Sequence, residues 1–113
     1  MGIQLLKPLV VFKERILKMK KEIIGNVWVD SGQLVITDPC YLRDWGGDEF
    51  GKDNEGEYSY AGACTATLSE KQYGMLETGM AAAFSTGGDG AFPVEATFDD
   101  DGYIISITVS FRW

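Results

Sequence analysis

From Ile23 onward, apolar and polar residues alternate with a period of two, the pattern of half-buried β-strands. In the last eleven residues Tyr103, Ile105, Ile107, Val109, Phe111 and Trp113 share one parity, and Ser106, Thr108, Ser110 and Arg112 take most of the other. That pattern predicts an antiparallel strand with one buried face. Phe92, Val94, Ala96 and Phe98 alternate with Pro93, Glu95 and Thr97, and Asp99-Asp100-Asp101-Gly102 joins this strand to the last one as a hairpin. Pro93 predicts an edge position or a bulge, because proline cannot donate to a ladder.

Residues 23–29 and 33–37 predict a second hairpin around Asp30-Ser31-Gly32, with Val27 and Val29 facing the same way as Leu34 and Ile36. Tyr58 to Leu68 alternates well enough to predict a strand with Cys64 inside, and Met80 to Phe84 predicts another. Ser69-Glu70-Lys71-Gln72 has the form of a capping box, which predicts a short helix near 70–77 ended by Gly79. Residues 43–57 form the longest predicted loop.

The fold class expected is therefore all-β, with a β-rich α+β arrangement as the alternative. It is a compact antiparallel sheet, sandwich or partly open barrel of about six strands. The 113 residues and fourteen glycines suit one domain of short strands and tight turns, assigned to 22–113.

Residues 1–21 read differently. Six of the ten basic residues fall there among Leu5, Leu6, Leu9, Val10, Val11, Phe12, Ile16 and Leu17. The apolar run is too short and too broken by charge to span a bilayer, and Pro8 interrupts a helix begun before it. A basic amphipathic helix on a membrane or partner is one reading. Another takes Met19, within this 1–21 extension, as an alternative translation start that leaves residues 1–18 untranslated, since Lys13-Glu14-Arg15 is compatible with a purine-rich ribosome-binding stretch. Peptide mapping of natively expressed protein decides between them, because fragments upstream of Met19 would exclude the later start.

Charge and chemistry narrow the function classes. The net charge of −7 disfavours direct nucleic-acid binding by the acidic body and suits a cationic partner or simple solubility. The chain has no histidine, which excludes Ser-His-Asp, Cys-His and His-metal mechanisms. Cys40 and Cys64 are not in Cys-x-x-Cys spacing and follow no secretory signal, so two reduced, largely buried thiols in a cytoplasmic protein are preferred to a disulfide. No cofactor or metal is expected.

The densest group of polar chemistry is Asp30 and Ser31 in one turn, with Asp38 beside Pro39, Cys40 and Tyr41. Asp38 ends a strand and could hold a cation or a ligand hydroxyl, or bond the backbone after Pro39. Gly87-Gly88-Asp89-Gly90 could form an anion nest, but it lacks Walker spacing, and a hairpin connection is the simpler reading. The acids of 44–57 and 99–101 read as solvated loops, and Asp53-Asn54-Glu55-Gly56 falls short of a calcium loop. Trp28 faces away from Val27 and Val29 and fits core or edge packing, with an exposed binding role as the alternative.

Val-Asp-Ser-Gly-Gln running into Asp-Pro-Cys-Tyr-Leu, then Gly-Asp-Gly-Ala-Phe-Pro-Val and Asp-Gly-Tyr-Ile-Ile-Ser-Ile-Thr-Val-Ser-Phe, resembles a family of small bacterial and phage proteins. The resemblance covers residues 26–111 and implies a compact β-rich fold with no established activity. It also implies signature positions at Asp30, Ser31, Gly32, Asp38, Pro39, Cys40, Tyr41, Gly88, Asp89 and Gly90.

The expected function is a non-enzymatic binding module, with Asp30, Ser31, Asp38, Tyr41 and Asp89 as ligand-binding residues and no catalytic residue assigned. Its partner is a small molecule or a protein, and an open edge near Pro93 would permit homo-oligomers. The alternatives are a phage counter-defence protein that sequesters a nucleotide signal or blocks a host protein, and a carboxylate- or metal-dependent hydrolase using Asp30, Asp38 or Asp89.

Overall fold

The computed structural model describes residues 19–112. The N-terminal extension up to residue 18, with its candidate amphipathic helix, lies outside them. Six strands run through the described chain in two three-stranded antiparallel sheets, so the β-rich class holds, and neither sheet closes into a barrel. The strands are β1 (Lys20–Val29), β2 (Gln33–Thr37), β3 (Tyr73–Leu76), β4 (Ala81–Ser85), β5 (Gly90–Phe98) and β6 (Ile104–Val109), with one α-helix, α1 (Tyr60–Thr67). Two compact units divide the chain, one of residues 28–91 and the other holding β1 through Val27 and the chain from Phe92 onward.

The 28–91 unit is a helix on a sheet of order β2-β4-β3. The register fixes its two faces. Val35, Ala83 and Gly74 lie side by side on one face with Thr37, Ala81 and Leu76. Ala81, Ala83 and Leu76 are buried there with Tyr58 and Ala63, and Val35, Trp45, Ala66 and Met80 pack around them. Where this face is Ala81, Ala83 and Gly74, α1 comes close: a Cβ on Gly74 would stand 2.8 Å from that of Ala66.

Two aromatic groups close this core. Tyr58 meets Trp45 edge to face at 4.9 Å. Its hydroxyl lies 2.7 Å from Thr37 Oγ1, which donates to the Met80 carbonyl at 2.8 Å, so the Tyr58 hydroxyl is the donor to Thr37. A buried phenol therefore keeps its hydrogen bond, as burial requires.

Several expectations give way here. Residues 58–68 are not a strand: Ser59 is an extended N-cap whose Oγ accepts from Gly62 N at 2.9 Å, and the alanine-rich run beyond it propagates a helix. The small residues Ala61, Gly62 and Ala63 carry too little periodic contrast to separate the two states. The predicted helix near 70–77 is a turn followed by β3. Ser69 Oγ donates back to the Ala66 carbonyl at 2.7 Å, finishing α1, and Gln72 then takes a left-handed φ of 68° that no continuing helix allows.

β1 and β2 exist with the expected turn between them, but they do not pair. The Gly32 carbonyl accepts from Thr86 N at 2.9 Å, which ties the turn to the end of β4, and β2 then pairs along β4. Gly87 to Gly90 accordingly link two different sheets and are not a hairpin connection. Leu34 and Ile36 lie on the face opposite the core, the reverse of the expected parity.

The other sheet has the order β1-β5-β6. The β5–β6 hairpin is present, with Val94 opposite Val109 and Ala96 opposite Ile107. Pro93 sits in the central strand, just before this ladder begins at Val94, and the register irregularity falls between Thr97 and Phe98. Phe92 meets Phe111 edge to face at 5.6 Å. The predicted buried face of β6 is absent: Tyr103, Ile104, Ile105 and Ile107 are all exposed. Trp28 is 83% exposed, against the core expectation. Both thiols are free, and Cys40 is exposed and not buried, while Cys64 is half-buried.

The helix–sheet approach yields a stability prediction. A Cβ on Gly62 would collide with the Glu57 carbonyl, whereas Gly47 has open space around it. Gly62→Ala should lower unfolding free energy by about 2–3 kcal/mol in urea titrations, and Gly47→Ala should stay within about 0.5 kcal/mol of the wild type.

Candidate interaction surface

The five expected ligand residues fall into two groups at opposite ends of β2. Asp30 and Ser31 are exposed in the turn before it. Asp89 lies beside that turn: its Oδ1 is 3.9 Å from where a Gly32 Cβ would be. The first turn and the glycine-rich loop thus do meet. Asp38 and Tyr41 lie beyond the other end of β2, because Gln33 pairs with Ser85 and Thr37 with Ala81. Five strand residues intervene, roughly 16 Å at 3.3 Å each. Asp38 and Asp89 therefore shape no common pocket, and Asp30 and Asp38 cannot act on one reacting atom.

Asp38 has a local role. It is the extended N-cap of a short 3-10 helix, Pro39–Asp44, with Pro39 in the first turn, and its Oδ1 accepts from Cys40 N at 2.9 Å. Its carbonyl accepts from Tyr41 N at 3.0 Å. This capping holds Tyr41 at the mouth of an open groove of about 410 Å³ lined by Ile36, Asp38, Tyr41, Met75 and Met80 among others.

The groove opens onto the outer face of the β2-β4-β3 sheet. Cross-strand pairing sets Leu34, Phe84 and Tyr73 in one row and Ile36, Ala82 and Met75 in the next. All six are apolar or aromatic. Ile36 is 63% exposed, Met75 57% and Tyr73 55%. In an ordinary two-layer unit the larger apolar side chains face the helix, but here the helix side holds Ala81, Ala83 and Gly74 beside Val35 and Leu76, while most of the larger side chains of the three strands face outward. Residues 33–37 show the right alternation but assign the core to the wrong parity. The capping-box pattern that predicts a helix over 70–77 masks the alternation of Tyr73 and Met75.

A polar cluster also escapes the sequence. Gln33 Nε2 donates to Cys64 Sγ at 3.3 Å, and Thr67 Oγ1 donates to Gln33 Oε1 at 2.9 Å. Tyr60, one helical turn before Cys64, has its pKa raised above the ordinary value, first by hydrogen bonding with the Cys64 side chain and next by electrostatic repulsion between the two groups were both ionised. These bonds join β2 to α1 and satisfy the buried Gln33 amide, a structural use of the polar groups. Reading 58–68 as a strand hid them.

Asn54 is buried and donates to the Glu49 carbonyl and to Glu57 Oε2, while Asp53 Oδ1 accepts from Glu55 N. The acidic loop is thus tied into turns of its own. No group of three His, Cys, Asp or Glu side chains converges as a metal set among the described residues. No described helix is long and apolar enough to cross a membrane.

No protein family, curated protein or solved structure matches the chain.

The cap role separates from a ligand role by substitution. Asp38→Ala should cost about 1 kcal/mol in thermal or urea unfolding, and Asp38→Asn, which still caps, should cost only a few tenths. Equal losses for both would show that the charge, and not the cap, is what the fold uses.

Proposed function

We propose that the protein is a non-catalytic interaction module that holds an amphipathic, positively charged segment of a partner protein on the outer face of the β2-β4-β3 sheet. The observation that carries this reading is the six-residue apolar face, three strands wide, with Ile36, Tyr73 and Met75 each more than half exposed. Exposed apolar patches of this kind mark contact surfaces. The resemblance to small bacterial and phage proteins is compatible with an accessory binder of this sort.

The partner's chemistry follows from the surroundings. Residues 22–113 hold sixteen of the seventeen acidic side chains and four of the ten basic ones. Asp38 lines the groove at the end of the apolar rows. Apolar contact would supply most of the affinity, and the negative field would favour basic residues flanking it and speed their approach. Met75 and Met80 add side chains able to repack against different shapes. The hydrolase alternative loses any pairing of Asp38 with Asp30 or Asp89, because Asp38 lies at the opposite end of β2 from both.

Selection from a displayed peptide library against the full chain tests this reading. Selected peptides should combine large apolar residues with lysine or arginine. Their binding should fall at least tenfold in the Ile36→Asp, Met75→Asp double variant, whose circular dichroism should match the wild type. Peptides that bind the variant equally well would contradict the proposal. Thermal stabilisation by nucleotides, divalent cations or sugars, with no peptide selected, would contradict it in favour of a small-ligand site.

A further inference from the structure

We infer that β6 is a self-association strand, pairing antiparallel with β6 of a second copy about a two-fold axis. This surface is separate from the partner-binding face, and the two can fail independently. β6 is an edge of its sheet among the described residues, so one row of its backbone N–H and C=O groups has no described strand beside it. From Gly102 to Phe111 the chain carries no charge. Ile104, Ile105 and Ile107 are 55%, 44% and 50% exposed. The ladder sets Ile104, Ile107 and Val109 on one face of the edge, with Ile105 unpaired at the irregularity, so the edge is uncharged and carries an exposed apolar face.

The opposite edge makes the contrast. β1 begins Lys20-Lys21-Glu22, and charges on an edge strand deter pairing with another chain. Nothing comparable guards Ile-Ile-Ser-Ile-Thr-Val, a β-branched run suited to strand addition.

Charge selects a second copy as the occupant. The exposed acids Asp100 and Asp101 lie in the turn before β6, and the exposed Arg112 lies just after it. In an antiparallel pair centred between Ser106 and Ile107, Ile104 of one copy faces Val109 of the other. Arg112 then faces the second copy's Asp101. A one-residue slip in one direction sets Arg112 opposite Asp100, so opposite charges meet at both ends in two of the three nearest registers; in the third it faces Gly102, next to Asp101. Two-fold symmetry doubles each contact, as isologous interfaces do.

The acids available for this are distinguishable from the one the fold uses. Asp99 Oδ1 accepts from Asp101 N at 2.9 Å and from Tyr103 N at 3.0 Å, so Asp99 builds the turn. The side chains of Asp100, Asp101 and Arg112 make no hydrogen bond or ion pair among the described residues.

Sedimentation of the full chain over a wide concentration range tests this. The expected result is reversible dimerisation to twice the 12.4 kDa chain mass. Ile105→Lys should abolish it, and Arg112→Glu should weaken it about tenfold by replacing two attractions with two repulsions. Adding Asp100→Arg and Asp101→Arg to Arg112→Glu should restore it, a rescue that misfolding cannot imitate. A wild-type monomer at every concentration overturns the inference. So does a dimer indifferent to Ile105→Lys and Arg112→Glu, and so does failure of the charge swap to rescue a variant whose circular dichroism is native.

Discussion

The close approach of α1 to its sheet is the constraint on which the 28–91 unit depends. Ala63 and Ala66 on the helix meet Ala81, Ala83 and Gly74 on the strands, and little space remains for larger side chains between them. Leu76 and Tyr58 fill what is left, and the Thr37 hydroxyl settles the phenol's hydrogen bond. Gly62 lets the first turn of the helix lie against the Glu57 backbone, and Ser59 caps it there. Such a core gains from tight packing more than from apolar area.

One consequence reaches the surface. With Ala81, Ala83 and Gly74 filling much of the inner face beside Val35 and Leu76, most of the larger apolar side chains of the strands lie on the other face. Leu34, Phe84, Tyr73, Ile36 and Met75 all take the outer face. The same alternation that builds the core therefore builds a plate on the opposite side. Asp38, by capping the short helix after β2, sets Tyr41 at the end of that plate and gives it a polar rim.

How much of this could be read in the chain depends on local contrast. The β5–β6 hairpin was legible because aromatic and β-branched residues alternate sharply with polar ones and an Asp-rich turn ends in Gly102. β4 was legible too. The 58–68 segment was not, because alanine, glycine and cysteine fit a pleated strand and a helix equally well, and the deciding signal was one cap, Ser59. The capping-box pattern at Ser69 misled because a serine can finish the helix before it as readily as start one after it. Pairing partners were harder still: β1 and β2 are neighbours in sequence, yet the bond from Thr86 to the Gly32 carbonyl, which ties the turn to the end of β4, spans more than fifty residues. Of the five candidate residues, Asp30 and Ser31 lie in the turn before β2, Asp89 in the loop between β4 and β5, Asp38 at the cap of the short helix after β2 and Tyr41 within it. Their split into two ends of β2 follows from that long-range pairing, which no local pattern encodes.

Methyl-resolved NMR of the full chain, titrated with a basic amphipathic peptide selected for binding, tests the central claim most directly. The account predicts that Ile36, Leu34 and Met75 methyl signals shift together while those of Ala63 and Ala83, on the helix side, stay in place. Shifts confined to the helix side, or to the turn carrying Asp30 and Asp89, would contradict it.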